Sequence, residues 1–392
     1  MFDFAQRYEG ITGSAIRNIF SLLAVPGMIS FAGGNPSPKS FPSEKLSEIA
    51  QNLIENYGSR VLQYGGTAGT DELLGVMRQM FQNMGIDMEG QDVVILTGSS
   101  QGIELISKVM INKGDTILVE SPTFLGALQT FHLYEANVES VAMEDDGIDV
   151  EMLERQIQKY HPKFLYTIPT FQNPSGRTMS EEKRKKVVEI CGKYGVLVLE
   201  DDPYADLRFE GEPLKPLKYY DKTSCVLKLF SFSKIISPGL RVGAAVGPKE
   251  VIGKMVLGKQ GADVHTANLT QDMVAEYVKQ GCLEEHIAEI CQMYRQQRDK
   301  MMECIAQYFP KEIKVVKPQG GLFIWAELPE HMNATELFHQ AVENKVAYVP
   351  GTHFYDEGGH HNTLRLNFSM ASMEEIDKGI YTLGNMFAQH MY

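Results

Sequence analysis

Residues 181–204 read EEKRKKVVEICGKYGVLVLEDDPY, and this stretch decides the fold. Glu181–Tyr194 sets Lys and Glu on one face of a helix and Val187, Val188 and Cys191 on the other. A short apolar run follows at Val196–Leu199 and ends in the acids Glu200, Asp201 and Asp202. Outward from here, apolar runs recur at Val93–Leu96, Thr116–Val119, Phe164–Ile168, Val226–Phe230 and Val242–Val246, with amphipathic stretches between several of them. Alternation of this kind predicts an α/β domain whose sheet is mostly parallel and covered on both faces. Ligands of such sheets bind beyond the carboxyl ends of the strands, so the residues after each run are where chemistry belongs.

After about residue 280 the texture changes. Leu283–Tyr308 reads as a long helix, followed by Gly321–Glu327, a helix near Thr335–Glu343, Val346–Val349 and a strand at Thr363–Phe368. This predicts a smaller α+β domain. The expected division is an N-terminal segment, 1–45, joining the small domain, a large domain at 46–280, and the small domain at 281–392.

The balance of 37 Lys+Arg against 50 Asp+Glu gives a formal charge of −13, which repels phosphate backbones and anionic lipid. Nucleic acid and membranes are therefore not expected as partners. Five scattered cysteines without a CxxC pair fit free thiols in a reducing compartment. With no basic region before an apolar stretch at the start and no apolar run of about 20 residues, a cytoplasmic protein is expected. The histidines lack ligand-like spacing with Cys or acids, so no metal is expected.

Four places after strands carry chemistry. Thr97-Gly98-Ser99-Ser100-Gln101-Gly102 opens a helix with small residues, which suits a phosphate at the helix N-terminus, although taken alone an ordinary turn with Ser as N-cap is the better explanation. Asp201, at the end of its strand, either caps a turn or faces a pyridinium nitrogen. Ser231-Phe232-Ser233-Lys234, with Arg241 downstream, pins a lysine among hydroxyls near an arginine. Schiff-base chemistry needs a neutral amine, hence a lysine lowered by desolvation or neighbouring charge. Asn173-Pro174-Ser175-Gly176 is a turn whose Asn amide is also a donor for a phenolate oxygen.

Together these residues resemble the fold-type I pyridoxal-phosphate (PLP) aminotransferases of class I/II. The nearest subgroup comprises the 2-aminoadipate and kynurenine aminotransferases and the effector domains of MocR-type regulators. The resemblance runs through SAIRNIF (14–20), SFAGGNPSP (30–38), LQYGGTAGTDEL (62–73), TGSSQG (97–102), SPTFLGALQ (121–129), QNPSGRTMS (172–180), EDDPY (200–204), SFSKIISPGLRVG (231–243), PQGGLFIW (318–325), YVPGTHF (348–354) and LRLNFS (364–369). It implies a mostly parallel seven-stranded sheet in the large domain. It also implies a Schiff base on Lys234, Asp201 on the pyridine nitrogen, and Asn173 and Tyr204 on the ring's 3-oxygen. Ser99, Ser100, Ser231, Ser233 and Arg241 would hold the phosphate, with Gln101 also binding the cofactor and Phe124 over the ring. Phe124 stands where many relatives carry tyrosine, and Ser100 where some carry glutamine.

By the same resemblance, Tyr64 crosses a homodimer interface to the partner's phosphate, so active sites are shared. Arg365 clamps the substrate α-carboxylate, as a planar guanidinium suits. Gly34 and Asn173 border the substrate, and Arg17 meets a distal carboxylate. The implied reaction is ping-pong transfer of an amino group between an L-amino acid (glutamate, 2-aminoadipate, aromatic or branched) and a 2-oxo acid such as 2-oxoglutarate. Two other readings stay open here: a PLP-dependent lyase, which needs no 2-oxo acid acceptor, and a non-catalytic PLP-binding sensor domain.

Overall fold

The computed structural model describes residues 2, 4–8 and 26–391; Arg17 and the rest of the SAIRNIF string lie outside the described residues. In chain order, the strands begin with β1 (Ile29–Ser30), β2 (Gln91–Leu96), β3 (Thr116–Ser121), β4 (Asn137–Glu144) and β5 (Gly147–Ile148). They continue with β6 (Phe164–Thr167), β7 (Leu197–Asp201), β8 (Val226–Ser231) and β9 (Gly243–Pro248). Eight of them form one sheet in the order β2-β9-β8-β7-β6-β3-β4-β5. The pairs from β8 through β7, β6 and β3 to β4 are parallel, while β9 runs antiparallel to both neighbours. The expected count of seven is therefore corrected to eight. The additional strand is the two-residue β5, which folds back on Met143 and Glu144 at the sheet edge and is too short to leave a periodic signal.

Both faces of this sheet are buried along its inner strands, which is why those strands read as unbroken apolar runs, unlike the partly exposed edge strand β4. Leu118, Leu165, Val198 and Val226 pack beneath Val187, Val188 and Cys191 of the helix Glu181–Tyr194. Ile117, Val119, Phe164, Tyr166, Leu199, Leu227 and Leu229 belong to the larger core on the opposite face. Burying each such side chain is worth about 1.5–3 kcal/mol. The helix Glu181–Tyr194 spans the range its pattern predicts. Ser180 Oγ accepts from Lys183 N at its start, acids fill its first turn, and Gly195 closes it at φ +68°.

A second, antiparallel sheet is built from β10 (Lys314–Val316), β11 (Phe323–Glu327), β13 (Val349–Pro350) and β14 (Thr363–Asn367). Between β11 and β13, β12 (Val346–Ala347) pairs in parallel with β1. The run Val346–Val349, expected as one strand, is thus divided: β12 pairs with the N-terminal β1 and β13 with β14, and the two meet at the buried Tyr348. Tyr348 Oη donates to the carbonyl of Ala334 at 2.6 Å, which fixes the turning point.

Successive side chains of β7 point to opposite faces of the large sheet. Leu197, Leu199 and Asp201 therefore go to the larger core, and Val198, Glu200 and Asp202 to the other side.

Candidate active site

A cavity of about 330 Å³ opens beyond the carboxyl ends of β2, β6, β7 and β8. Lys234, Asp201, Tyr204, Asn173, Phe124, Ser99, Ser100, Ser231, Ser233, Arg241, Gly34 and Arg365 all line it. Residues as distant in sequence as Gly34 and Arg365 are thus gathered round one volume.

Lys234 follows β8 by three residues, where the chain leaves the sheet, and its Nζ donates to Gly34 O at 2.9 Å. Burial, with the positive charges of Arg365 and Arg241, pushes its pKa down to about 8. Asp201 faces the cavity from the end of β7. Its Oδ2 accepts from Tyr166 Oη at 2.9 Å, whereas its buried Oδ1 has no partner. Burial raises this carboxyl to about 6, with the charge of Asp202 adding to the effect. A buried carboxylate oxygen without a donor costs roughly 1–3 kcal/mol or more, so it awaits one.

The turn Thr97–Ser100 forms a cradle. Gly98 sits at φ +78° ahead of the helix Ser99–Met110, and no side chain caps that helix, so its first N–H groups face outward. A Cβ on Gly98 would lie 2.3 Å from Arg241 Nη2, which itself donates to Thr97 O at 3.0 Å. Ser231 Oγ accepts from Ser233 N at 3.2 Å on the other side. Hydroxyls, a guanidinium and a helix N-terminus together suit a phosphate dianion.

Arg365, on β14, is fully enclosed. Nη1 donates to Asn173 Oδ1 and Nη2 to Ala32 O, each at 2.8 Å. Its plane stands 4.2 Å from the Phe323 ring centre and 5.0 Å from that of Phe354, and its Nε is buried without a partner. Burial lowers its pKa to about 10. Asn173 Nδ2 reaches Tyr204 Oη at 3.5 Å, and burial pushes that phenol well above its ordinary value.

Gln101 and Tyr64 do not line this cavity, as Tyr64, expected at the site of a second copy, need not. The Gln101 side chain lies behind the cradle, accepting from Thr97 N and Lys259 Nζ and donating to Asp263, because the helical turn after Ser99 and Ser100 rotates it towards the helix Lys249–Gln260. Tyr64 is 81% exposed and packs edge-on against His265, away from this chain's own cavity. Conversely, Asn35, Pro203 and Pro238 line the cavity without having been singled out in the sequence. Nor were Tyr166 and Glu120. Glu120 directly follows the run Thr116–Val119, so the rule that located Asp201 points to it too. It is buried, accepts from Thr167, Ile168 N and Gln172, and is raised by that burial to about 7.

These groups have one cofactor in common. PLP asks for an amine that loses its proton readily, an acid for its ring nitrogen and a site for its phosphate; Lys234, the free Oδ1 of Asp201 and the Gly98 cradle meet each demand. The class is that of PLP-dependent enzymes. Residues 26–383 match the family model described as aminotransferase class I and II, and the chain belongs to that family. It is 38% identical, over 99% of its length and 94% of the relative's, to aromatic-amino-acid aminotransferase 1 of Thermococcus litoralis. Kynurenine aminotransferase of Pyrococcus horikoshii, solved with PMP, superposes with a TM-score of 0.96 at 38% identity, covering 99% of this chain and 98% of that one. α-Aminoadipate aminotransferase of Thermus thermophilus, solved with N-(5′-phosphopyridoxyl)-L-leucine, gives 0.91 at 36%, covering 98% and 97%. The protein is a PLP-dependent aminotransferase that moves amino groups between amino acids and 2-oxo acids.

Proposed function

We propose that glutamate and 2-oxoglutarate form one substrate pair and that 2-aminoadipate, an aromatic or a branched amino acid supplies the other. The observation that carries the chemistry is that the half-buried Lys234 and the buried Arg365 line one cavity, with Arg365 keeping an unpartnered Nε. Arg365 grips the α-carboxylate and so orients the Cα–H towards Lys234. Lys234, once an incoming amino group has freed its amine, would be the base that takes the proton from Cα and the donor that returns one on the cofactor side. PLP supplies the aldehyde carbon that carries the amino group and a ring that withdraws electrons from Cα. Asp201 would hold the proton on the ring nitrogen, and Asn173 and Tyr204 would orient the 3-oxygen. Ser99, Ser100, Ser231, Ser233 and Arg241 would hold the phosphate, and Phe124 would pack against the ring.

In this reading the large domain spans 46–280, the small domain 281–392, and residues 1–45 join the latter. Tyr64 reaches the phosphate of a second copy in a homodimer, Arg17 meets the distal carboxylate, and the enzyme works in the cytoplasm. Among the described residues no helix is long and apolar enough to cross a membrane.

The test is the absorption spectrum of the purified protein before and after glutamate. Lysine-bound PLP absorbance that gives way to pyridoxamine phosphate, and returns with 2-oxoglutarate, supports the pair. A band indifferent to glutamate rejects that donor. Arg17→Ala should raise the KM for 2-oxoglutarate; an unchanged KM removes Arg17 from the site.

A further inference from the structure

Tyr166 is the third residue of β6, fully buried, with Phe131 packed edge-on at 5.6 Å. Register pairs Tyr166 with Leu199 on β7, so Asp201 is its diagonal neighbour two residues on, on the same face of the sheet. That geometry lets the phenol reach Asp201 Oδ2 at 2.9 Å, within the sheet and below the cavity floor. The ring of Tyr166 does not itself line the cavity.

A carboxylate presents either oxygen unless something chooses. Here the phenol takes Oδ2 and leaves Oδ1 as the oxygen without a partner. The groups around Asp201 compete over its charge. Glu120 and Asp202 are acids close by, and Lys228, behind the sheet, pairs with Asp202 at 2.7 Å. Burial and Asp202 favour the neutral acid, whereas the phenol donor and Lys228 favour the anion. Burial and the charge of Asp201 also keep the phenol protonated far above its ordinary range, so it always donates.

We infer that Tyr166 is a positioning residue for the reaction: its hydroxyl fixes which oxygen Asp201 offers to the cofactor's ring nitrogen and keeps that oxygen anionic. The inference rests on the reading that Asp201 meets that nitrogen. Removing the hydroxyl leaves the core shape intact but makes Asp201 more basic, so the shared proton moves from the nitrogen towards the carboxyl.

The experiment compares wild type, Tyr166→Phe and Asp201→Asn, each loaded with PLP labelled with ¹⁵N in the ring, by NMR of that nitrogen. Wild type should show a protonated nitrogen and Asp201→Asn an unprotonated one. Tyr166→Phe should shift towards the unprotonated position, with kcat down roughly tenfold and the donor KM altered less than about twofold. If Asp201→Asn leaves the nitrogen protonated, the reading of Asp201 is wrong. If Asp201→Asn moves it and Tyr166→Phe matches wild type, the Tyr166 inference is overturned. Should Tyr166→Phe not fold, fluorotyrosine placed at position 166 alone retains shape and donates more strongly. It should move the nitrogen's resonance further towards the protonated position than wild type, and no change or a shift the other way would refute the inference.

Discussion

The Nζ of Lys234 donates to the carbonyl oxygen of Gly34 at 2.9 Å across 200 residues of sequence, so the reactive amine is held by the segment that follows β1. Its pKa of about 8 sets a pH dependence. Only the neutral amine attacks an aldehyde, so the rate at which cofactor-free protein binds PLP covalently should rise with pH through about 8 and then level. A solvated lysine would carry the rise on to about 10.4. Stopped-flow absorbance measures this, and Lys234→Ala should show neither the band nor turnover.

The same shift bears on stability. The folded-state pKa of about 8 lies below the ordinary 10.5, so between those values the unfolded chain binds more protons and folding gains with rising pH. Melting of cofactor-free wild type and Lys234→Met should therefore differ at pH 7, with the variant more stable, and converge above about 10.5.

Gly98→Ala places a methyl group 2.3 Å from Arg241 Nη2 at a backbone φ of +78°. Arg241 must shift out of the cradle. The Kd for PLP, from titration of the cofactor-free protein, should rise about tenfold or more, equivalent to about 1.4 kcal/mol.

Arg365→Lys removes a planar guanidinium that bonds Asn173 and Ala32 at once and stacks between two phenylalanines. The kcat/KM for amino donors should fall about a hundredfold or more, about 2.7 kcal/mol, while PLP stays bound. Half-reaction kinetics against cofactor absorbance separate the two effects.

Tyr64 is 81% exposed and outside its own chain's cavity. If it completes the site of a second copy, mixing Tyr64→Ala with Lys234→Ala protein should restore activity to about a quarter of wild type after subunit exchange, from one intact site in each hybrid. No recovery after verified exchange would exclude shared sites.

Much of this was legible in the sequence because the sheet is covered on both sides. Apolar runs mark its inner strands, and the residues after them include Asp201 and Lys234. What escaped has physical causes. β5 is two residues long and held by β4 alone. The break at Tyr348 depends on which strands β12 and β13 meet, a tertiary fact. Gln101 shares a motif with Ser99 and Ser100, yet helical rotation turns it to Lys259 and Asp263. Tyr166 sits inside an apolar run and reads as core; only the register of β6 against β7 brings its hydroxyl to Asp201.

The pairing of β1 with β12, and of Arg365 with Ala32, has a consequence for synthesis. On the ribosome the central strands β2 to β9 emerge long before β14, so the sheet and its lysine are made first. The carbonyls of Ala32 and Gly34, although translated early, gain their place only when the final strands arrive. The lysine and acid assigned to the cofactor are thus translated well before Arg365, which is assigned to the substrate's α-carboxylate. The grip on the α-carboxylate therefore depends on a strand made near the end of synthesis.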